Sequence, residues 1–469
     1  MPGYIMKRKT FLKNAAVLSA GGFAAKAVGA IYRVPLGNLL GGYAMGLYQM
    51  AYPLFCVMLT FSSAGIPNAF ARIVSREAAE GKDVRGTLRS ALRLFCMIGL
   101  VCTLLMLLLS PLFSALQGDA VLARCYLALA PSVFLVALIA VFRGYFQGKN
   151  DMRPTAASEL LEQIVKAALG LFFALRFRDE PLRAVTYALF AVTASELVAL
   201  GYLMLCCRSA RAPLPMHLPA VPGRRILATA LPVMAASSLL PLSQTADSIL
   251  IVRLLSAHTE GAVALYGLFA GGALSLVGLS SAVCWGLAAA SVPAVSALFA
   301  EGREAEGVRR ALYALGVTLL LSVPCAAGLF LFARYAAAIL YPALSSAQAS
   351  VLVALLRTLA PAAVFLPCMQ TLSACLTGMG RAKKAMLATA VAVCVKFLLE
   401  VLLLRVPSLS VLGAAIAADA CYLVAFSLDL FYTVKKPNAK GEYRDHRSQS
   451  GSGKGRLERA GAGGRPPSG

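Results

Sequence analysis

The stretch Arg143-Gly144-Tyr145-Phe146-Gln147-Gly148-Lys149-Asn150-Asp151-Met152-Arg153-Pro154-Thr155, continued through Glu159, Glu162 and Lys166, decides the fold because the chain states it twice. Its second form is Thr377-Gly378-Met379-Gly380-Arg381-Ala382-Lys383-Lys384, followed by an apolar run that carries Lys396. Ala130-Pro131 answers Ala360-Pro361, Gly148 answers Gly378 and Lys166 answers Lys396, each pair 230 residues apart. Each form predicts a helix, a short basic turn and a second helix with a lysine inside its apolar length. Leu47-Tyr48 likewise answers Leu265-Tyr266, and Glu80-Gly81-Lys82 answers Glu301-Gly302-Arg303, with an offset drifting from 218 to 221. A duplicated apolar chain predicts two related halves with a substrate site between them, a pattern found in transporters.

Composition sets the solvent. The 469 residues are 59% hydrophobic and 14% charged, where a soluble domain holds about 45–50% apolar and about 25% charged residues. The mean hydropathy is +0.75. These values predict a chain dissolved in lipid. A formal net charge of +23 raises the question of nucleic acid, but the basic residues fall in short turns between apolar runs and in the tail, so no nucleic-acid partner is expected. The twelve cysteines stand singly in apolar runs apart from Cys206-Cys207, and read as small buried apolar residues. With three histidines and no paired cysteine spacing, no metal site and no cofactor is expected.

Apolar runs of about 20 residues, the length a bilayer core demands, follow one another along the chain. They predict an all-α integral membrane protein with about twelve crossings, at 11–33, 43–70, 88–114, 121–143, 154–176, 184–207, 224–254, 262–297, 308–333, 350–377, 384–404 and 410–433. The first run follows Lys7-Arg8-Lys9 and imitates a signal peptide; its length and its small residues Gly21, Gly22, Ala25 and Gly29 predict an uncleaved, closely packed helix. Crossings one to six make an N-lobe (1–207), and crossings seven to twelve a C-lobe (224–434). A proline-rich linker, 208–223, joins them, and a basic tail, 435–469, has the composition of a disordered segment. One set of turns is rich in Arg and Lys (Arg72 to Arg89, Arg143 to Arg153, Arg208 to Arg225, Arg303 to Arg310, Arg381 to Lys384), and the alternate set is poor. The positive-inside rule then puts both termini in the cytoplasm and relates the lobes by an axis along the membrane normal.

A charge at the middle of a crossing helix costs roughly 2.5–3.5 kcal/mol on insertion scales and asks for a partner or a wet cavity. Glu159, Glu162 and Lys166 share one helical face, and Lys396 and Glu400 are spaced i, i+4 on the equivalent helix. Two readings stand: neutralisation within each helix as Glu162–Lys166 and Lys396–Glu400 pairs, or groups lining a cavity. Lys26 and Arg33 share a face of the first helix, and Arg253 answers Arg33 in the seventh. These three cations are the candidate anion site, with snorkelling to the interface as the competing account of Arg33 and Arg253. Asp247 is the candidate carboxylate for coupling to a proton or another cation, and Gln49 and Gln244 suit a hydrated interior.

Tyr32-Arg33-Val34-Pro35-Leu36-Gly37-Asn38, Gly46-Leu47-Tyr48-Gln49-Met50-Ala51-Tyr52-Pro53, Ser63-Ala64-Gly65-Ile66-Pro67, Arg143 to Gly148 and Glu162-Gln163 resemble the stage V sporulation protein B family. These are polysaccharide-biosynthesis transporters of the multidrug/oligosaccharidyl-lipid/polysaccharide superfamily. The resemblance covers about 4–435 and is more specific in the first half. It implies a bacterial cell-membrane protein with two six-helix lobes in the MATE-like parallel arrangement around a central cavity. It implies flipping of lipid-linked sugars by alternating access, in cell-wall synthesis or sporulation. Lipid II flippases of the superfamily use cavity cations, the role this resemblance offers to Lys26, Arg33 and Arg253. Many relatives have fourteen helices, and this chain departs from them with twelve.

Three functions are therefore in play. The first is a flippase for an undecaprenyl-pyrophosphate-linked saccharide such as lipid II, driven by a proton, sodium or the membrane potential, with membrane lipids around it. The second is a cation-coupled MATE-type multidrug exporter, which wants a carboxylate-dominated cavity. The third is a membrane glycosyltransferase or polymerase; the short external turns and the lack of an Asp-x-Asp motif speak against an enzyme.

Overall fold

The computed structural model describes residues 8–63, 66–80, 84–209 and 223–435. The predicted linker and tail fall almost wholly outside them. Among the described residues every regular element is helical. The N-lobe comprises α1 (Arg8–Ser63), α2 (Ile66–Ala79), α3 (Val84–Gln117), α4 (Leu122–Gly148), α5 (Arg153–Arg176) and α6 (Pro181–Ser209). The C-lobe comprises α7 (Gly223–Ser256), α8 (Ala262–Tyr266), a π-helical segment (Gly267–Ala273), α9 (Leu274–Ala300), α10 (Glu304–Leu331), α11 (Ala333–Leu340), α12 (Ser346–Thr358), α13 (Ala362–Gly378), α14 (Ala382–Leu403) and α15 (Leu412–Val434).

The twelve expected crossings map onto these helices, with three changes. Crossings one and two are one run of helix, α1, broken at Gly41, whose φ of 70° and ψ of 176° only glycine holds without strain. Crossing two continues past its predicted end through α2. Crossing ten is the pair α12–α13, bent by 47°. Among the described residues eight helices are long and apolar enough to span a membrane, or nine if that bent pair counts as one span. The first part of α1, together with α5 and α7, makes up the other three crossings. For α5 the shortfall has a local cause, since Glu159, Glu162 and Lys166 dilute its hydropathy, and a helix that lines a wet cavity need not be apolar all round.

The repeat is visible in the packing. α4 packs on α2, α3 and α6, and its counterpart α13 packs on α9, α10 and α15. A Cβ on Gly148 would stand 2.5 Å from Val74 of α2, and one on the matching Gly378 would stand 2.8 Å from the Val292 carbonyl of α9. Each lobe thus keeps a glycine where the basic turn begins because a neighbouring helix passes there.

The lobes meet tightly at the end where α1 breaks. Gly42 and Gly46 of α1 cross Gly267 and Gly271 of the π segment, each pair spaced as small-xxx-small, so the two backbones touch. A Cβ on Gly267 would overlap the Gly42 carbonyl, and one on Gly46 would lie 2.9 Å from Val263 Cγ1 and nearer still to its carbonyl oxygen. Gln49 Nε2 donates to Ala270 O at 3.2 Å, Gln117 Nε2 to Ser248 Oγ at 2.9 Å, and Asn38 Nδ2 to Leu340 O. These hydrogen bonds join the lobes at this end. Away from it the lobes flank a cavity, and α2 touches α7.

Candidate functional site

The cavity measures about 870 Å³, toward the upper end of the roughly 300–1,000 Å³ usual for ligand sites. Its walls are unlike each other. The N-lobe wall carries Arg33, Arg143, Lys166, Glu159 and Glu162, together with Tyr32, Tyr48, Tyr52 and Gln163. The C-lobe wall carries Gln244, Ser275, Ser281 and Gln370, with Gly278 and Ala282. Among the described residues all the charge is on one side, and no Leu, Ile, Val, Met or Phe lines the space.

Local sequence explains the placement. The charged face of α5 lies along the first half of α1, where the small residues Gly22 and Gly29 admit Glu159 and Gln163 to within 3.8 and 3.1 Å of where their Cβ atoms would be. Arg143, in the last turns of α4, reaches across to α5: its Nη2 donates to Glu162 Oε2 at 3.0 Å and its Nε to Ser158 Oγ at 3.0 Å. Gln163 Nε2 occupies the other carboxylate oxygen of Glu162 at 3.0 Å. The expected Glu162–Lys166 pair is thereby corrected. Both lone-pair faces of Glu162 are taken by a planar guanidinium and an amide that reach it more directly than an ammonium one turn along the same helix. Lys166, buried at the cavity wall, makes no ion pair among the described residues, nor does Arg33. Behind them α6 brings Glu196, buried, with Oε2 lacking a partner among the described residues and within electrostatic reach of Glu162, Arg143 and Lys166.

Of the three expected cavity cations, Arg33 lines the space. Lys26 lies on α1, but its side chain is outside the described residues. Arg253 does not reach the cavity. It stands in the last turn of α7, where its Nε donates to Leu116 O at 2.7 Å and Nη2 to Ala115 O at 3.5 Å, two carbonyls at the end of α3. Gln49 is likewise turned away, onto the π segment.

Asp247, Lys396 and Glu400 are brought together, but inside the C-lobe and apart from the cavity. Lys396 Nζ of α14 bonds Asp247 Oδ2 of α7 and stands 3.6 Å from Glu400 Oε1. The expected Lys396–Glu400 pair exists, though its closer carboxylate comes from another helix. The equivalent lysines have therefore parted in role: Lys166 faces the cavity, and Lys396 is locked in an ion triad. Two further carboxylates on α15, the half-buried Asp419 and the buried Asp429, have orphan oxygens among the described residues. The rule that singled out Asp247 would have found these and Glu196, since each interrupts an apolar run. No group of three or more metal-ligating side chains occurs among the described residues.

Two lobes of six helical crossings each, related by a repeat and enclosing a polar cavity, define a multi-pass membrane transporter of the MOP class. The polysaccharide biosynthesis protein model matches residues 11–299, and the MatE model matches 232–402. The chain belongs to the polysaccharide biosynthesis protein family of that superfamily, a family of transporters rather than enzymes. It is 29% identical over 430 residues to stage V sporulation protein B of Bacillus subtilis (strain 168), covering 88% of this chain and 81% of that one. In fold it is similar to an inward-facing MATE family transporter (TM-score 0.74, 18% identity, 87% of this chain and 93% of that one). It is also similar to the lipid II flippase MurJ in an inward closed conformation (TM-score 0.67, 16% identity, 90% and 88%).

Proposed function

We propose that this protein flips a lipid-linked saccharide, carried on undecaprenyl pyrophosphate, across the cell membrane by alternating access. The observation that carries this reading is the pair of cavity cations, Arg33 and Lys166, that make no ion pair among the described residues, facing a C-lobe wall of amides and hydroxyls. In a low-dielectric cleft a diphosphate gains far more from two converging cations than it would in water. Arg33 offers a planar fork to phosphate oxygens and Lys166 a point charge. The sugar crosses within the cavity while the lipid tail stays in the bilayer. Both termini face the cytoplasm in this reading, so the cavity stands on the cytoplasmic side and the Gly41 end is the outer seal. In the C-lobe triad two carboxylates face one ammonium, so the site already holds a cation and has room for a proton. That favours proton coupling over sodium.

The test is translocation of a fluorescent lipid-linked oligosaccharide in liposomes. Arg33→Gln with Lys166→Gln should abolish flipping while the protein keeps its melting temperature; transport at the wild-type rate would remove the cationic mechanism. A cation-coupled drug exporter is the second reading, favoured by the MatE match and by Glu159 and Glu162 in the cavity. It would predict transport of lipophilic cations that survives loss of Arg33 and Lys166.

A further inference from the structure

We propose that Tyr48 and Tyr52 form a stacking platform for the sugar next to the diphosphate, so that the head group lies along the N-lobe wall with a fixed polarity. The proposal rests on the flippase reading and adds the part of the site that recognises the saccharide. Tyr48 and Tyr52 are one turn apart on the second half of α1 and both line the cavity. Their rings are nearly parallel, 10° apart, with centroids at 5.7 Å, and Phe55 backs Tyr52 edge-on at 5.6 Å. The platform is thus held by packing before any ligand arrives.

Its surroundings identify the chemistry. A pyranose presents a flat array of C–H groups on one face and hydroxyls around its rim, so its complement is an aromatic face ringed by planar polar groups. A greasy drug asks instead for Leu, Met and Phe, none of which lines this cavity among the described residues. Among the described lining residues the large apolar surfaces are tyrosine rings. Opposite them Gln370 has its carbonyl engaged by Ser281, which leaves its NH2 as a donor to hydroxyl or acetamido oxygens. Arg33 is near enough to act electrostatically on both Tyr48 and Tyr52, and on Lys166. The phosphate seat and the aromatic platform are therefore neighbours, as the two halves of a glycosyl diphosphate are.

The experiment measures binding of two probes to the purified full-length protein in nanodiscs: undecaprenyl diphosphate without sugar, and the same lipid carrying a disaccharide. Wild type should bind the glycosylated lipid about tenfold more tightly, and Tyr52→Leu, which keeps apolar bulk but loses the flat face, should erase that difference while leaving the bare diphosphate unchanged. Tyr52→Phe should bind both as wild type, and Arg33→Gln should weaken both. If Tyr52→Leu weakens both lipids equally, or neither, the platform is overturned while the flippase reading stands. If wild type binds neither lipid, the flippase reading itself fails. Tight binding of tetraphenylphosphonium that is lost in Tyr52→Leu and spared in Arg33→Gln would overturn the proposal in favour of a cation–π site.

Discussion

Replacing Lys396 by methionine should cost this protein more than removing all three members of its ion triad. The side chains are 14% (Lys396), 9% (Asp247) and 0% (Glu400) exposed, so water cannot take over the role of the ammonium. A buried pair broken on one side loses about 3–5 kcal/mol, because an uncompensated charge remains. The alternative for the orphaned Asp247 is to take up a proton. For an ordinary aspartate at pH 7 that costs about 4 kcal/mol, at about 1.4 kcal/mol per pH unit, which caps its share of the penalty. The sign follows: the folded variant binds a proton that its unfolded chain does not, so its stability deficit shrinks as pH falls from 7 toward 5. Lys396→Met combined with Asp247→Asn and Glu400→Gln leaves no buried charge and should lie within about 2 kcal/mol of wild type. SDS-titrated unfolding in mixed micelles, at pH 5 and pH 7, reads all of this. If Lys396→Met loses under about 1 kcal/mol, or the triple variant equals the sum of the single losses, the triad does not act as a unit.

Three further outcomes are expected. Gly46→Val should hold the lobes apart at the Gly41 end, lengthening by several ångströms the distance between spin labels at Ala120 and His258; an unchanged distance would mean the glycine crossing is not what closes that end. Glu162→Gln should destabilise the protein by about 1–3 kcal/mol, and adding Arg143→Met should recover part of that, whereas adding Lys166→Met should not; recovery with Lys166 instead would restore the intrahelical pair. With single cysteines in a cysteine-free background, Asp119 should label from outside intact cells and Lys149 should not; the reverse pattern would invert the proposed topology.

Much of the architecture was legible in the sequence because the bilayer imposes it locally. A crossing needs about 20 apolar residues wherever it packs, so hydropathy marks most of the twelve runs, and a duplication leaves its offset of 230 between Gly148 and Gly378 and between Lys166 and Lys396. The same rule picks out the charges inside those runs, and the 3.6-residue period puts Glu159, Glu162 and Lys166 on one face. What periodicity cannot give is the helix opposite that face. Glu162 finds Arg143 on α4 and Lys396 finds Asp247 on α7, 149 residues away, because helices cross where their small residues let them. Arg253 looked like the twin of Arg33, yet its last-turn position sets it against the terminal carbonyls of α3. The glycines at 42, 46, 267 and 271 were in plain view, but their meaning belongs to a pair of helices. Sequence set how many helices cross and which of them carry charge; tertiary packing decided which charges meet each other and which are left facing the cavity.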